Sequence, residues 1–174
     1  AMAIQGKIEA YNLPQGTMAQ MVRDAAGKRV GTITHVGLNT YVDPRIEGAK
    51  VNSKPTEDIV KLIEIEGEEK LLFKSQPLDV TFIRGTYADE SGNISLEKEC
   101  CTLDATSLAQ CAKNNGGKVF VQVEKVVANG SLDPRTVKIP GIYVDAVIIA
   151  EGDDNAQIYK QEYDGSMTGD FRVP

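Results

Sequence analysis

The chain has 174 residues, 41% hydrophobic and 25% charged, and 19 basic against 25 acidic side chains give a net charge of −6. That size suits one domain with a single buried core. The apolar runs are far too short for a membrane span, and the scattered acidic surplus excludes nucleic acid as a partner. The N-terminal Ala-Met-Ala-Ile has no basic segment leading into an apolar core, so no signal peptide is expected and the expected compartment is the cytoplasm.

In chain order, Ile8 to Leu13 is expected to be a short strand and Thr17 to Ala26 a helix. Thr17 and Gln20 fit a capping box, and Gly27 fits the left-handed C-terminal position. Met18, Met21, Val22 and Ala25 share one apolar face by their i, i+3, i+4, i+7 spacing, which turns Gln20, Arg23 and Asp24 outward. Gly31 to Val36 is expected to be a buried strand that enters the turn Gly37-Leu38-Asn39-Thr40. Val42 to Pro55 has Pro44, Gly48 and Pro55 and no sustained period, as in a long ordered loop. Ile59 to Ile65 and Lys70 to Phe73 alternate apolar and charged residues across Glu66 to Glu69, as in a β-hairpin.

Asp79 to Arg84 and Ile94 to Leu96 are expected to be short strands on either side of the turn Ala88 to Asn93. Asp104 to Asn115 is a second helix closed by Gly116-Gly117. Lys118 to Val127 and Ile142 to Ala150 are rich in valine and isoleucine, as central strands covered by helices would be. Residues 151–174 have few apolar residues and no period and are expected to be a linker. These elements make an α/β fold, an open mixed sheet flanked by helices with an inserted β-hairpin.

Few side chains announce chemistry. Cys100, Cys101 and Cys111 have no C-x-x-C spacing and complete no zinc pattern with the lone His35, so reduced thiols and no metal are expected. On a strand the adjacent Cys100 and Cys101 would point to opposite faces, which disfavours a bridge between them. His35 lacks a nucleophile motif and is read as structural or merely adjacent to a site. Glu90 lies in turn chemistry, Ser-Gly-Asn, rather than in a catalytic setting. Glu124 and Asp145 are either strand-end charges or buried ion-pair partners. The segment Pro14-Gln15-Gly16 is the open case. Gly16 has no Cβ to block a ligand and the helix that follows starts with free N–H groups, yet Pro and Gly are also ordinary turn residues and Gln15 an ordinary solvated one.

Read together, PQG at 14–16, THVG at 34–37, VDPR at 42–45, RGT-x-ADE-x-GN at 84–93 and SLDPRTVKIPG at 131–141 resemble the family I coenzyme A transferases, most of all the propionate/acetate (short-chain acyl) branch. The resemblance implies a coenzyme A transferase-like fold and a parent enzyme that moves coenzyme A between a short-chain acyl-CoA and a carboxylic acid. A glutamate carboxylate attacks the thioester and later carries CoA itself as a glutamyl thioester, so coenzyme A is a substrate and no bound cofactor is expected. That glutamate belongs to an E-x-G motif in the second half of such enzymes, and Glu90, followed by Asn93-Ile94-Ser95-Leu96, does not match it.

The resemblance therefore implies an internal piece of the N-terminal half, with residues 1–150 as its domain and residues 151–174 leading to the missing C-terminal catalytic half. Carried over position by position, Gln15 matches the family's active-site amide, and Gly16, Gly37, Asn39 and Thr40 match substrate-binding positions, with Asn39 standing where a second glycine is usual. Acyl-CoA, short-chain carboxylates and the missing half are the implied partners, and a homo-oligomer is expected. The acidic charge argues against an isolated high-affinity coenzyme A site in this piece. An acyl-CoA hydrolase on the same scaffold and a non-catalytic interaction module are the rival readings.

Overall fold

The computed structural model describes residues 1–157, 161 and 163–172. They form two compact units, residues 1–77 and 78–174, and both mix helix and sheet as an α/β chain should.

The first unit carries helix α1 (Gln15–Ala26) and strands β1 (Gly31–Thr34), β2 (Val60–Ile65) and β3 (Glu68–Lys74). The strands form an antiparallel sheet in the order β1-β3-β2, with Thr32 opposite Phe73 and Val60 opposite the same residue. The hairpin between β2 and β3 needs only Glu66-Gly67, both at positive φ (53° and 81°), which is the turn whose twist matches paired strands. Central β3 buries Leu71 and Phe73 completely, together with Met21, Val42, Ala49, Ile59 and Val60.

Four expectations are corrected in this unit. Ile8 to Leu13 is no strand: Tyr11 makes an isolated bridge to Lys50, because its partner is the irregular loop at 49–51 and the ladder ends after Asn12 N–H to Ala49 and Val51 N–H to Ala10, both 2.9 Å. Thr17 is no N-cap. The helix begins two residues earlier, after Pro14, and Met18 N–H donates the first helical bond to the Pro14 carbonyl at 3.0 Å. Gly27 has φ −83° and the left-handed residue is Lys28 (φ 57°). The helix closes with Lys28 N–H to the Ala25 carbonyl and Arg29 N–H to that of Asp24, a Schellman pattern one residue beyond the expected place. Strand β1 lies at a sheet edge and buries only Thr32.

The second unit holds β4 (Val80–Arg84), β5 (Tyr87–Asp89), β6 (Ile94–Ser95), α2 (Ala105–Asn114), β7 (Lys118–Val123), β8 (Lys125–Val127), β9 (Val137–Ile139), β10 (Ala146–Ile149) and the short α3 (Gly165–Thr168). A parallel sheet β10-β7-β4 and a mixed sheet β8-β5-β6-β9 share the chain. Helix α2 packs on β4, β7 and β9 through Ala105, Ala109 and Ala112, small residues that allow a close approach. It ends as expected, with Gly116 at φ 80° and Gly117 N–H bonded to the Ala112 carbonyl.

The run Lys118 to Val127 is two strands. It breaks at Glu124, and its halves belong to different sheets; β4 and β5 break beside it at Gly85-Thr86. Gly85 N–H donates to Gln122 and Glu124 N–H to Thr86, so two parallel strands leave one sheet for the next side by side. A Cβ on Gly85 would stand 2.3 Å from Ile94 Cγ2, which requires glycine at this corner. Tyr87–Asp89 is thus a strand where a turn was expected. Of the run Ile142 to Ala150 only Ala146–Ile149 is a strand, at a sheet edge with Ile148 and Ile149 exposed. Residues 158–160, 162 and 173–174 of the expected linker lie outside the described residues.

Both undecided acids pair with lysines. Glu124 meets the Lys98 ammonium at 2.8 Å, which lies over the Tyr87 and Tyr163 rings and is held well above its usual range chiefly by that carboxylate. Asp145 accepts from Val119 N–H at 3.0 Å and from Lys118 and Lys113. The Val119 N–H first, then the Lys118 ammonium, pull its carboxyl down to about 2.

A depressed carboxyl contributes stability that is whole above its unfolded value of about 3.9 and disappears as pH falls through the folded one. The stability difference between wild type and Asp145→Asn is therefore expected to be constant near neutrality and to shrink between about pH 4 and about pH 2. Urea midpoints measured across that range check it, and a difference that persists undiminished at about pH 2 contradicts it.

Candidate functional site

The first turn of α1 and the edge strand β1 enclose a groove of about 340 Å³. Pro14, Gly16, Thr17 and Gln20 line one side and Thr32, Ile33, Thr34 and Val36 the other. Pro14 sets the entry at φ −60° and ψ 131° with no side chain capping the helix, so the N–H groups of the first turn precede the first helical bond and favour negative charge nearby. Gln15 occupies the first helical position and is exposed.

Gly16 has no structural reason to be glycine. It lies inside the helix, and a Cβ there would meet nothing within 4 Å. Glycine in that setting weakens a helix, and what it provides instead is bare backbone at the rim of the groove.

The two walls are joined by Asp24. Expected to face outward, its carboxylate is 4% exposed and accepts from Thr32 Oγ1 at 2.6 Å, from Arg29 at 3.1 Å and from Gln20 Nε2 at 3.3 Å. Gln20 thus holds Asp24 rather than capping the helix. The wide apolar face expected for α1 is correspondingly narrower, since Met18 is 43% exposed and Thr17 and Asp24 are buried beside Met21 and Ala25.

The residues carried over from the 37–40 turn are organised but are not part of the groove lining. Gly37 has φ 99°, and a Cβ would press on Val42 and Leu71 at 3.1 to 3.2 Å. Asn39 takes φ 59°, a conformation its short polar side chain tolerates. Thr40 Oγ1 donates to the Gly37 carbonyl at 2.7 Å. Buried Asp43 fixes the turn, accepting from the N–H groups of Asn39 and Arg45 and from the Arg45 guanidinium, which reaches on to Glu69 of β3. The Arg45 guanidinium above all holds the Asp43 carboxyl well below the usual carboxylate range.

His35 is exposed between groove and turn. Glu90 is exposed and accepts from Asn129 N–H at 3.2 Å, in keeping with a turn residue. Thr32, Thr34 and Asp24 carry no signal in the sequence as site residues; only the pairing of α1 with β1 reveals them. Among the described residues no group of three or more His, Cys, Asp or Glu is arranged to hold a metal ion, and no helix is long and apolar enough to cross a membrane.

The family model described as Coenzyme A transferase matches residues 1–150. The chain belongs to the coenzyme A transferase family. It is 48% identical over 170 residues to a caffeate CoA-transferase of Acetobacterium woodii and 43% identical over 173 residues to acetate CoA-transferase YdiF of Escherichia coli K12, covering 97% and 99% of this chain. It spans about a third, 32%, of the length of each. The solved apoenzyme of the acyl-CoA transferase YdiF from Escherichia coli O157:H7 superposes with a TM-score of 0.93 at 41% identity, over 99% of this chain and 33% of that one. Glutaconate coenzyme A-transferase of Acidaminococcus fermentans shares the fold at 18% identity, with a TM-score of 0.72 over 96% of this chain and 54% of that one.

Gly16 separates structural need from use. Gly16→Ala is expected to stabilise the chain by about 0.4–1 kcal/mol, since helical backbone accepts alanine without strain, measured by urea unfolding. A loss of stability would mean that the glycine serves the fold after all.

Proposed function

We propose that the parent protein is an acyl-CoA:carboxylate CoA-transferase of the acetate and propionate type, acting in the cytoplasm on short-chain acids. On this reading the groove at the open N-terminus of α1 receives the reacting carbonyl. The observation that carries the proposal is Gly16, a glycine the fold does not require, at the rim of the groove and directly after the exposed amide of Gln15. Residues 1–150 act as the N-terminal, alpha-subunit-like domain and residues 151–174 lead toward the part that supplies the glutamate. The assembly is a homo-oligomer. Acids named for relatives, acetate and caffeate, support a carboxylate acceptor.

The chemistry divides one exchange into displacements at carbonyl carbons. A glutamate from the remainder of the parent attacks the acyl-CoA thioester and expels the CoA thiolate, leaving an acyl–glutamyl anhydride. The thiolate then attacks the glutamyl carbonyl, which frees the carboxylic acid and leaves a glutamyl–CoA thioester. An acceptor acid reverses both steps. Each addition places negative charge on a carbonyl oxygen. The Gln15 amide, and the N–H groups at the start of α1 that Gly16 leaves uncovered, serve as its donors. Gly37, Asn39 and Thr40 shape the neighbouring acyl side, held in place by the Asp43–Arg45 brace.

A donor of this kind contributes roughly 3–4 kcal/mol in the transition state. Gln15→Ala in the full-length parent is expected to lower kcat by about 10²-fold or more with a much smaller change in KM. An effect confined to KM would assign Gln15 to ground-state binding. The isolated chain is expected to show no acyl-CoA:carboxylate exchange, restored when the remainder of the parent is present. Exchange by the chain alone overturns the proposal, and CoA release independent of added carboxylate would make the parent a hydrolase.

A further inference from the structure

Cys100 and Cys101 are not on a strand. They follow Glu99 in the irregular segment before α2, both exposed, with their Sγ atoms 3.8 Å apart and in hydrogen-bond contact. The expected arrangement on opposite faces is therefore wrong: two thiols are presented together. Cys111, by contrast, is buried within α2.

A disulfide is a poor use for this pair. A trans peptide fixes adjacent Cα atoms about 3.80 Å apart, below the span of about 4.4–6.8 Å that an unstrained disulfide uses. A single thiophilic atom bridging both sulfurs fits better, because two bonds of about 2.3 Å at a near-tetrahedral angle hold their sulfurs about 3.8 Å apart. Among the described residues no third His, Cys, Asp or Glu joins the pair as a ligand group. That disfavours a four-coordinate cation and suits a three-coordinate centre whose third substituent is carbon.

The surroundings supply a place for that substituent. The thiols border a pocket of about 320 Å³ with Phe82, Leu96, Leu103 and Leu108 in its lining. Phe82 is 76% exposed and Leu103 71%, with Leu103 held at φ 41°. Contact with Cys100 first, then burial, raises the Cys101 thiol above its ordinary value, so it stays protonated near neutrality and is a weak nucleophile toward simple alkylating agents.

The geometry points to a dithiol site for trivalent organoarsenicals at Cys100-Cys101, with the organic group in the pocket beside Phe82 and Leu103. The condensation balances without a redox partner. An arsenoxide R–As=O and two S–H groups form two As–S bonds, the As=O bond breaks, and the oxygen leaves as water with both thiol protons. Arsenic remains trivalent and the sulfurs remain reduced.

Phenylarsine oxide is the probe. The purified chain is expected to retain one arsenical by intact mass and lose two reactive thiols. A small 1,2-dithiol should release it and a monothiol in equal amount should not. Cys100→Ser and Cys101→Ser should each abolish retention, while Cys111→Ser keeps it, and unchanged circular dichroism would show that the variants fold. The phenyl compound should bind at least about tenfold tighter than methylarsine oxide, a preference that Phe82→Ala reduces. Absence of retention, or retention that survives either single substitution, overturns the site; equal affinity for the two arsenicals overturns the role of the pocket.

Discussion

Asp24 ties the helix that presents Gln15 and Gly16 to the strand that faces them. A carboxylate so little exposed loses most of its hydration, and that loss is tolerable only when its oxygens are fully engaged. Thr32 from β1, Gln20 one turn earlier on α1 and Arg29 just beyond the helix do so from three directions. Removing one partner leaves a buried charge under-satisfied, so the contacts stand or fall together. The two walls of the groove are therefore set by chemistry at its far end, leaving Gln15 and Gly16 at the open end of α1 exposed.

A second device occurs twice in one local form. In Asp43-Pro44-Arg45 and in Asp133-Pro134-Arg135 the aspartate accepts from the arginine's own N–H and from its guanidinium two residues on. Proline fixes the intervening φ and removes a competing donor, which stiffens the loop. The surroundings differ. The Asp43 side chain is 1% exposed and its arginine reaches Glu69, whereas the Asp133 side chain is 41% exposed. An exposed pair contributes little, while the buried one organises the 37–45 turn beside the groove.

Local chemistry explains which features were legible in the sequence. The Gly116 helix stop and the turn at Asn39 follow from residue types that suit positive φ, whereas the hairpin was legible only as a connection across Glu66 to Glu69, which the fold tightens to Glu66-Gly67 with Glu66 itself at φ 53°. Asp24 was misread because periodicity assigns a carboxylate to the solvent side, and nothing within α1 signals that Thr32 will face it. The cap at Thr17 was misread because Pro14 already provides the extended residue before the helix, making a side-chain cap unnecessary. The valine run after Lys118 shows no sign of its break at Glu124, since changing sheets alters the partners of a strand and not its residue preferences. At the site itself, residue types left Gln15 and Gly16 open between turn and binding role. The resemblance favoured binding, and the empty space around Gly16 supports the same choice on independent ground.

The shared corner at Gly85-Thr86 and Glu124 also bears on how the second unit folds. β4 pairs with β7, and β5 with β8, across all the chain that holds β6 and α2, so both pairings close large loops before either yields its contacts. Sequence separation of this kind slows folding. Because the two strands turn together, an error of register in β4·β7 is carried into β5·β8 and moves buried side chains to the wrong face in both sheets. The corner thus couples the two registers, and the close fit of Gly85 against Ile94 leaves room for only one placement of the chain where the sheets meet.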